Sequence, residues 1–331
     1  MGAFQFRFDF EALAFGPGDG VLLVSALVID ALFGAWPTLR RFVPHPALLI
    51  AVLVGELTRR LNRGQRGPRT RLFRGLITVF VVIALAVLAG WGLSAFGRAT
   101  PFGWILIVFV IASLTVQRSP FDEASRVSIG FAKGGPAGGR DAARKVIGPE
   151  AGAADPGELV RLLLRHLAGR FADGLIGGIF WFLVLGLPGL IIYRAINIAG
   201  RMLDDAKPDI GLYGFVPTRL NEAVGLLPTW AGGVILTFAA LFVPGASPVG
   251  VMRAMIAGGG NADQYARGPA ACAFAGALVL DLARPETAKA VPRHGAAFST
   301  ADIVRGQYLY AVGGLLAFGL TIIVATVRIA V

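Results

Sequence analysis

The chain has 331 residues, 55% of them apolar and 15% charged, with a formal net charge of +11 and a mean hydropathy of +0.69. An ordinary soluble domain is about a quarter charged, so this composition excludes a soluble globular fold and points to a single membrane-embedded domain over residues 1–331. One Cys and three His exclude a disulfide framework and a zinc-type ligand cluster, and the surplus of Lys and Arg reads as basic segments on an anionic lipid surface, with no nucleic acid as partner.

In chain order, Phe4, Phe6, Phe8 and Phe10 are interspersed with a single Arg, so no basic segment leads directly into an apolar core and no cleaved signal peptide is expected. Gly20 to Trp36 is apolar but carries Asp30. A carboxylate facing lipid is costly, so Asp30 is expected to face protein or water and is a candidate site residue. His45, between Pro44 and Pro46 at the head of the apolar stretch Pro46 to Leu57, is rigidly placed, which suits an acid, a base or a phosphate contact and equally a plain helix-start role. Between Arg59 and Arg74 stand seven arginines and no acid, which assigns that stretch to the cytoplasm.

About 20 apolar residues cross the hydrocarbon core as a helix. Gly75 to Gly97 and Ala99 to Gln117 meet that length, so Arg118 to Asp173, with nine Lys and Arg, returns to the cytoplasmic side as a basic loop. Its Gly-rich run from Lys133 to Arg140 lacks the phosphate-loop pattern and reads as a mobile loop. Asp155-Pro156-Gly157-Glu158 reads as the start of a helix. With Leu159, Leu162, Leu163, His166 and Leu167 on one face, that helix is expected on the membrane surface, and His166 reads as a packing histidine.

Gly174 to Tyr193 is a further span. If it crosses, Arg194 to Glu222 lies outside; if Pro188 and Gly189 break it, the two halves form a re-entrant pair. Asp204 and Asp205 beside Lys207 read as solvated loop charges. The next span is expected from Pro228 to Val243 with a proline at each edge, Pro269 to Leu282 with its terminal Asp281 stays ambiguous, and Gly306 to Val327 is the last span. Cys272 reads as a buried, inert thiol. The expected fold is all-α: a polytopic integral membrane protein with about five transmembrane helices plus re-entrant or interfacial ones.

Several segments resemble a known family. Asp30-Ala-Leu-Phe-Gly-Ala-Trp-Pro, Pro44-His45-Pro46 and Glu56-Leu-Thr-Arg-Arg-Leu-Asn-Arg are similar to the opening of the CobD/CbiB family of cobalamin-biosynthesis membrane proteins. Asp173-Gly174, Phe180-Trp181, Pro188-Gly189 and Tyr193-Arg-Ala-Ile-Asn197 resemble its central stretch in order and spacing. Tyr213-Gly214-Phe215, Arg219-Leu220, Leu227-Pro228 and Ala275-Gly276-Ala277-Leu278 extend the likeness.

The resemblance implies an adenosylcobinamide-phosphate synthase in a bacterial inner membrane, with ATP and Mg²⁺ as cofactors and a corrinoid and aminopropanol phosphate as substrates. It further implies proton transfer or Mg²⁺ handling at Asp30, Asp173 and Glu222, phosphate contacts at His45 and Arg219, and substrate orientation by Asn197; no residue set is assigned to a metal. The chain departs from the pattern at polar positions. Gly169-Arg170-Phe171-Ala172-Asp173-Gly174 stands where the family reads approximately E-N-T-V-D-G, Asn197-Ile-Ala-Gly200-Arg201-Met202 where it reads N-T-L-D-S-M, and Leu220-Asn221-Glu222 where it reads L-D-D. Two readings stay open at this point: a divergent synthase, or a repurposed paralogue serving as a non-catalytic membrane scaffold or small-molecule binding protein.

Overall fold

The computed structural model describes residues 18–34, 45–63, 67–204, 207, 209–258, 268–279 and 299–330. The sequence readings of Phe4 to Phe10, Trp36, Pro44, Asp205 and Asp281 lie outside them. The described residues form eleven α-helices and no strand: α1 Asp19–Phe33, α2 Pro46–Leu61, α3 Pro68–Ala99, α4 Gly103–Leu114, α5 Arg118–Ile147, α6 Pro156–Gly169, α7 Gly177–Met202, α8 Phe215–Ala239, α9 Pro248–Gly258, α10 Gly268–Leu278 and α11 Thr300–Ala330. A π-helical turn, Arg170–Ile176, joins α6 to α7 without interruption. Four of these helical runs are long and apolar enough to cross a membrane, or five if bent α4 and α5 count as one. The chain is a multi-pass membrane protein.

Helix α3 is the reference pillar. It starts with Pro68 in its first turn, where the missing N–H costs nothing, and carries Arg69, Arg71 and Arg74 before its apolar run. The segment after α7 docks on this end: Asn62 Nδ2 and Arg71 Nη2 both donate to the Asp209 carbonyl, at 3.0 and 3.2 Å, and Tyr213 Oη lies 2.6 Å from Thr78 Oγ1. With Arg59, Arg60 and Arg63 at the end of α2 nearby, the positive-inside rule makes this the cytoplasmic end.

The run from Pro156 to Met202 is apolar enough to be one long span, but it turns back on itself. Asp173 and Arg201 would stand roughly 42 Å apart on a straight helix, yet their side chains meet at 3.8 Å. The reversal sits at Leu185 (φ −127°, ψ 15°) and Gly186 (φ 63°, ψ −155°), the latter a backbone region open essentially only to glycine. Pro188 follows at once and cannot continue the ladder.

Contacts with α3 fix the direction. A Cβ on Gly75 would lie 2.1 Å from the Tyr213 carbonyl oxygen, and one on Gly90 would lie 2.7 Å from Pro188 Cα. From Gly75 to Gly90 is about 22 Å along α3, so the returning arm of α7 runs antiparallel to α3, back to the arginine-rich end. Of the two alternatives in the sequence, the structure takes the re-entrant pair, and Arg194 to Glu222 stays on the side of Arg59 to Arg74.

Five expectations need correction. The expected span Ala99 to Gln117 is a helix of 12 residues, Gly103–Leu114, about 18 Å long and short of the roughly 30 Å of hydrocarbon. Arg118 to Asp173 is helical rather than a loop: α5 folds back at Gly135 (φ 57°, ψ −151°), and Gly130 and Gly138 let the two arms touch, since a Cβ on Gly130 would lie 2.6 Å from the Gly138 carbonyl oxygen. Helix α6 does not lie on a surface, because its apolar face, including Leu159, Leu163, Leu164 and Leu167, is fully buried under α5, α10 and α11. Cys272 is half-buried on α10.

The fifth correction concerns Pro228, which lies inside α8 rather than at its edge. A mid-helix proline orphans the carbonyl four residues earlier, here that of Val224, and Trp181 Nε1 donates to that oxygen at 3.0 Å. The hairpin thus repairs the ladder of α8, which keeps Arg219 and Glu222 on the same helix as its apolar part. Trp181→Phe keeps the ring and removes the donor. It is expected to destabilise the protein by about 1–2 kcal/mol, read as a lower melting temperature of the protein in detergent.

Candidate functional site

The cytoplasmic end of the hairpin carries a polar layer whose geometry starts at the π turn. Such a turn widens the helix by one residue and loosens its hydrogen-bond register, and Asp173 sits inside it. The Asp173 carbonyl accepts from Tyr193 Oη at 3.3 Å and from Arg194 Nη1 at 3.2 Å, while its carboxylate faces Arg201 at 3.8 Å. Arg194 Nη1 also donates to Asn197 Oδ1 at 3.3 Å, and Asn197 Nδ2 donates to Asn221 Oδ1 at 3.1 Å. This chain of bonds links both arms of α7 to α8. Tyr193, Arg194 and Asn197 are buried, whereas Asp173 is 28% exposed and Arg201 47%, so the layer opens towards the basic end.

A second group adjoins the first through Arg170, whose charge reaches Glu123, Arg194 and Tyr310. Glu123 on α5 accepts from Ser119 Oγ at 2.9 Å and lies 2.8 Å from His166 Nε2. Burial pushes the Glu123 carboxyl up, but the His166 hydrogen bond, the Arg170 charge and the Ser119 hydroxyl outweigh it and hold the group below the usual carboxylate range. An ionised carboxylate only accepts, so His166 Nε2 carries the hydrogen. His166 thus packs α6 against α5 through a polar contact.

Of the six candidate residues, Asp173 and Asn197 meet in the layer. Arg219 and Glu222 form their own pair at 2.6 Å on the outer side of α8, with Arg219 over the Phe215 ring at 5.5 Å; they flank Asn221, two residues before it and one after. Asp30 caps another helix: its Oδ2 accepts from the backbone N–H of Gln117 at 2.7 Å and of Arg118 at 3.3 Å, where α5 begins and the dipole favours an anion. His45 caps α2, its Nδ1 accepting from Ala47 N at 3.2 Å. That places it about 24 Å along α2 from Leu61, whose carbonyl accepts from Arg74 at the basic end.

The layer also contains residues not singled out as site candidates in the sequence: Arg170, Tyr193, Arg194, Arg201 and Asn221. Tyr193, Arg194, Asn197 and Arg201 recur within two turns of one helix next to an apolar run, a pattern that marks intramembrane polar groups facing protein rather than lipid. Arg170 carried no such signal, because it reads as the polar side of an amphipathic helix. As for the implied Mg²⁺, no three His, Cys, Asp or Glu side chains converge among the described residues, and the layer sets three arginines against Asp173. Such a donor set does not fit a resident metal ion, and no step is derived through one.

The family model described as "CobD/Cbib protein" matches residues 23–307. The chain belongs to the CobD/CbiB family. It is 30% identical over 267 residues to a cobalamin biosynthesis protein CobD from Sinorhizobium sp, covering 80% of this chain and 83% of that one. The protein of the same name from Rhizobium meliloti (strain 1021) is 30% identical over 227 residues, 68% of this chain and 69% of its own, and that of Brucella anthropi is 28% identical over 274 residues, 80% and 82%. No solved structure matches the chain. The family match runs from α1 into α11 and includes the whole polar layer.

Proposed function

We propose that the chain serves cobalamin biosynthesis by an amide-forming condensation, joining a carboxylate of adenosylcobyric acid to the amine of an aminopropanol or its phosphate. Membership of the CobD/CbiB family supports the pathway. The observation that carries the site is the reversal at Gly186, which brings Asp173 against the Arg194–Asn197–Asn221 chain at the basic end.

An amine reaches neutral water as an ammonium and must lose a proton before its nitrogen can attack a carbonyl carbon. Asp173, partly open and on an irregular turn, is the proton acceptor of this proposal. Asn197, held by its bonds to Arg194 and Asn221, orients the reacting carboxylate. Arg219 and Glu222 form the outer wall on α8, while Asp30 acts through α5 as a positioning residue. ATP, brought as its magnesium complex, would supply the driving force by phosphorylating the carboxylate oxygen, so that phosphate leaves when nitrogen attacks.

The test is turnover by the purified chain supplied with adenosylcobyric acid, aminopropanol phosphate and MgATP, read as the mass of the amide product. Product formation is expected. Folded protein that yields none, beside a family member that does, overturns the proposal.

A further inference from the structure

Two guanidiniums in the polar layer have more N–H groups than acceptors. Arg194 is 4% exposed; its Nη1 reaches only uncharged oxygens, the Asp173 carbonyl and the Asn197 amide, and its Nε is buried without an acceptor. Arg170, on the π turn, has no ion pair among the described residues, and its Nε is likewise buried and unsatisfied. Arg170 stands on the same π turn three residues before Asp173, whose carbonyl Arg194 reaches at 3.2 Å and whose carboxylate Arg201 faces at 3.8 Å, so three guanidiniums gather around this residue.

Nearby acids offset this excess only in part. Asp173 faces Arg201 at 3.8 Å, and Glu123, whose carboxyl feels the Arg170 charge, is engaged at both oxygens by Ser119 and His166, so three guanidiniums share two carboxylates. A buried cation without its counter-charge costs several kcal/mol, and each orphaned N–H adds to that cost. A bound oxyanion relieves both at once, because guanidinium N–H groups match its geometry.

We propose that Arg170 and Arg194, with Arg201 at the rim, form a binding site for a phosphoryl oxyanion carried by a substrate. Three arginines with Asp173 and Glu123 leave net positive charge and unpaired N–H groups, and a phosphoryl group, of charge about −1.5 to −2 with three strong acceptor oxygens, engages more of them than a carboxylate does. The phosphoryl group has two sources, an amino-alcohol phosphate or a nucleotide, and the inference rests on the proposed reaction only for this choice of ligands.

The experiment is calorimetric titration of the purified full chain in detergent with aminopropanol phosphate, with MgATP and with unphosphorylated aminopropanol. At least one phosphorylated compound is expected to bind and the unphosphorylated one not. Arg170→Met and Arg194→Lys are each expected to weaken that binding on the order of 10- to 100-fold, and the compound whose affinity falls identifies the source. Ligand-free Arg170→Met is expected to melt no lower than the parent, since an uncompensated charge has been removed; a purely structural Arg170 would give a lower melting temperature and unchanged binding.

Unchanged affinity in both variants, or no binding of either phosphorylated compound by the parent, overturns the site. Amide formation by the parent together with an unaltered KM in Arg170→Met removes the site and leaves the reaction. Arginine-dependent binding without any amide product removes the reaction and leaves the site.

Discussion

Asp173→Ala is expected to lower amide formation by roughly two to four orders of magnitude while the protein stays folded. The carboxylate contributes little to the fold: its ion pair with Arg201 is long, at 3.8 Å, and Arg201 is 47% exposed, a class of contact worth at most about 1 kcal/mol. What ties the hairpin together at this residue is the backbone carbonyl, which accepts from Tyr193 and Arg194 and is kept by alanine. Asp173→Asn is expected to lose as much, because an amide of the same shape cannot accept a proton at neutral pH. Turnover and the melting temperature, measured on one preparation, separate the two roles. Full activity in either variant removes Asp173 from the chemistry.

Gly186→Ala is expected to destabilise the protein by about 1–3 kcal/mol, and to lower turnover because the two arms lose their register. At φ 63° and ψ −155° a Cβ clashes with its own backbone, so the chain must shift at the one point where α7 reverses. Gly177→Ala tests the same hairpin lower down, since its Cβ would lie 2.1 Å from Tyr193 Oη on the returning arm. Gly225→Ala on α8 is the control. Nothing stands within 4 Å of its Cβ, and alanine in an unstrained helical position stabilises by about 0.4–1 kcal/mol. Melting temperatures of the three variants in detergent should fall for Gly186 and Gly177 and hold or rise for Gly225; equal behaviour of all three contradicts the hairpin.

The helical, membrane-embedded class was legible because it depends on composition and on charge-free length, both of which sequence records directly. Asp173 and Asn197 were legible through motif spacing. The hairpin was visible only as an alternative, since a long apolar run looks alike whether it crosses or returns; Gly186, whose backbone angles decide it, is one glycine among many. Pro228 misled because a proline reads as a helix edge unless something satisfies the freed carbonyl, and that partner, Trp181, is 43 residues away. The apolar face of α6 was visible, but its covering by α5, α10 and α11 depends on tertiary packing. Arg170 looked like a solvent-facing residue for the same reason. Asp30 and His45 stood out as polar groups in apolar surroundings, and the structure gives each a cap to make.

The central claim is that α7 returns, so that the segment after it shares the cytoplasmic side with Arg59 to Arg74 and the polar layer opens there. Cys272 is the single cysteine of the chain, so Cys272→Ser with Asp209→Cys leaves one labelling position, at a residue whose carbonyl is held by Asn62 and Arg71. A membrane-impermeant maleimide is applied to intact spheroplasts and then to lysed ones, with the melting temperature of the purified variant compared with that of the parent as the check on folding. The account predicts no labelling until lysis. Labelling in intact spheroplasts would place Asp209 outside and contradict the returning hairpin.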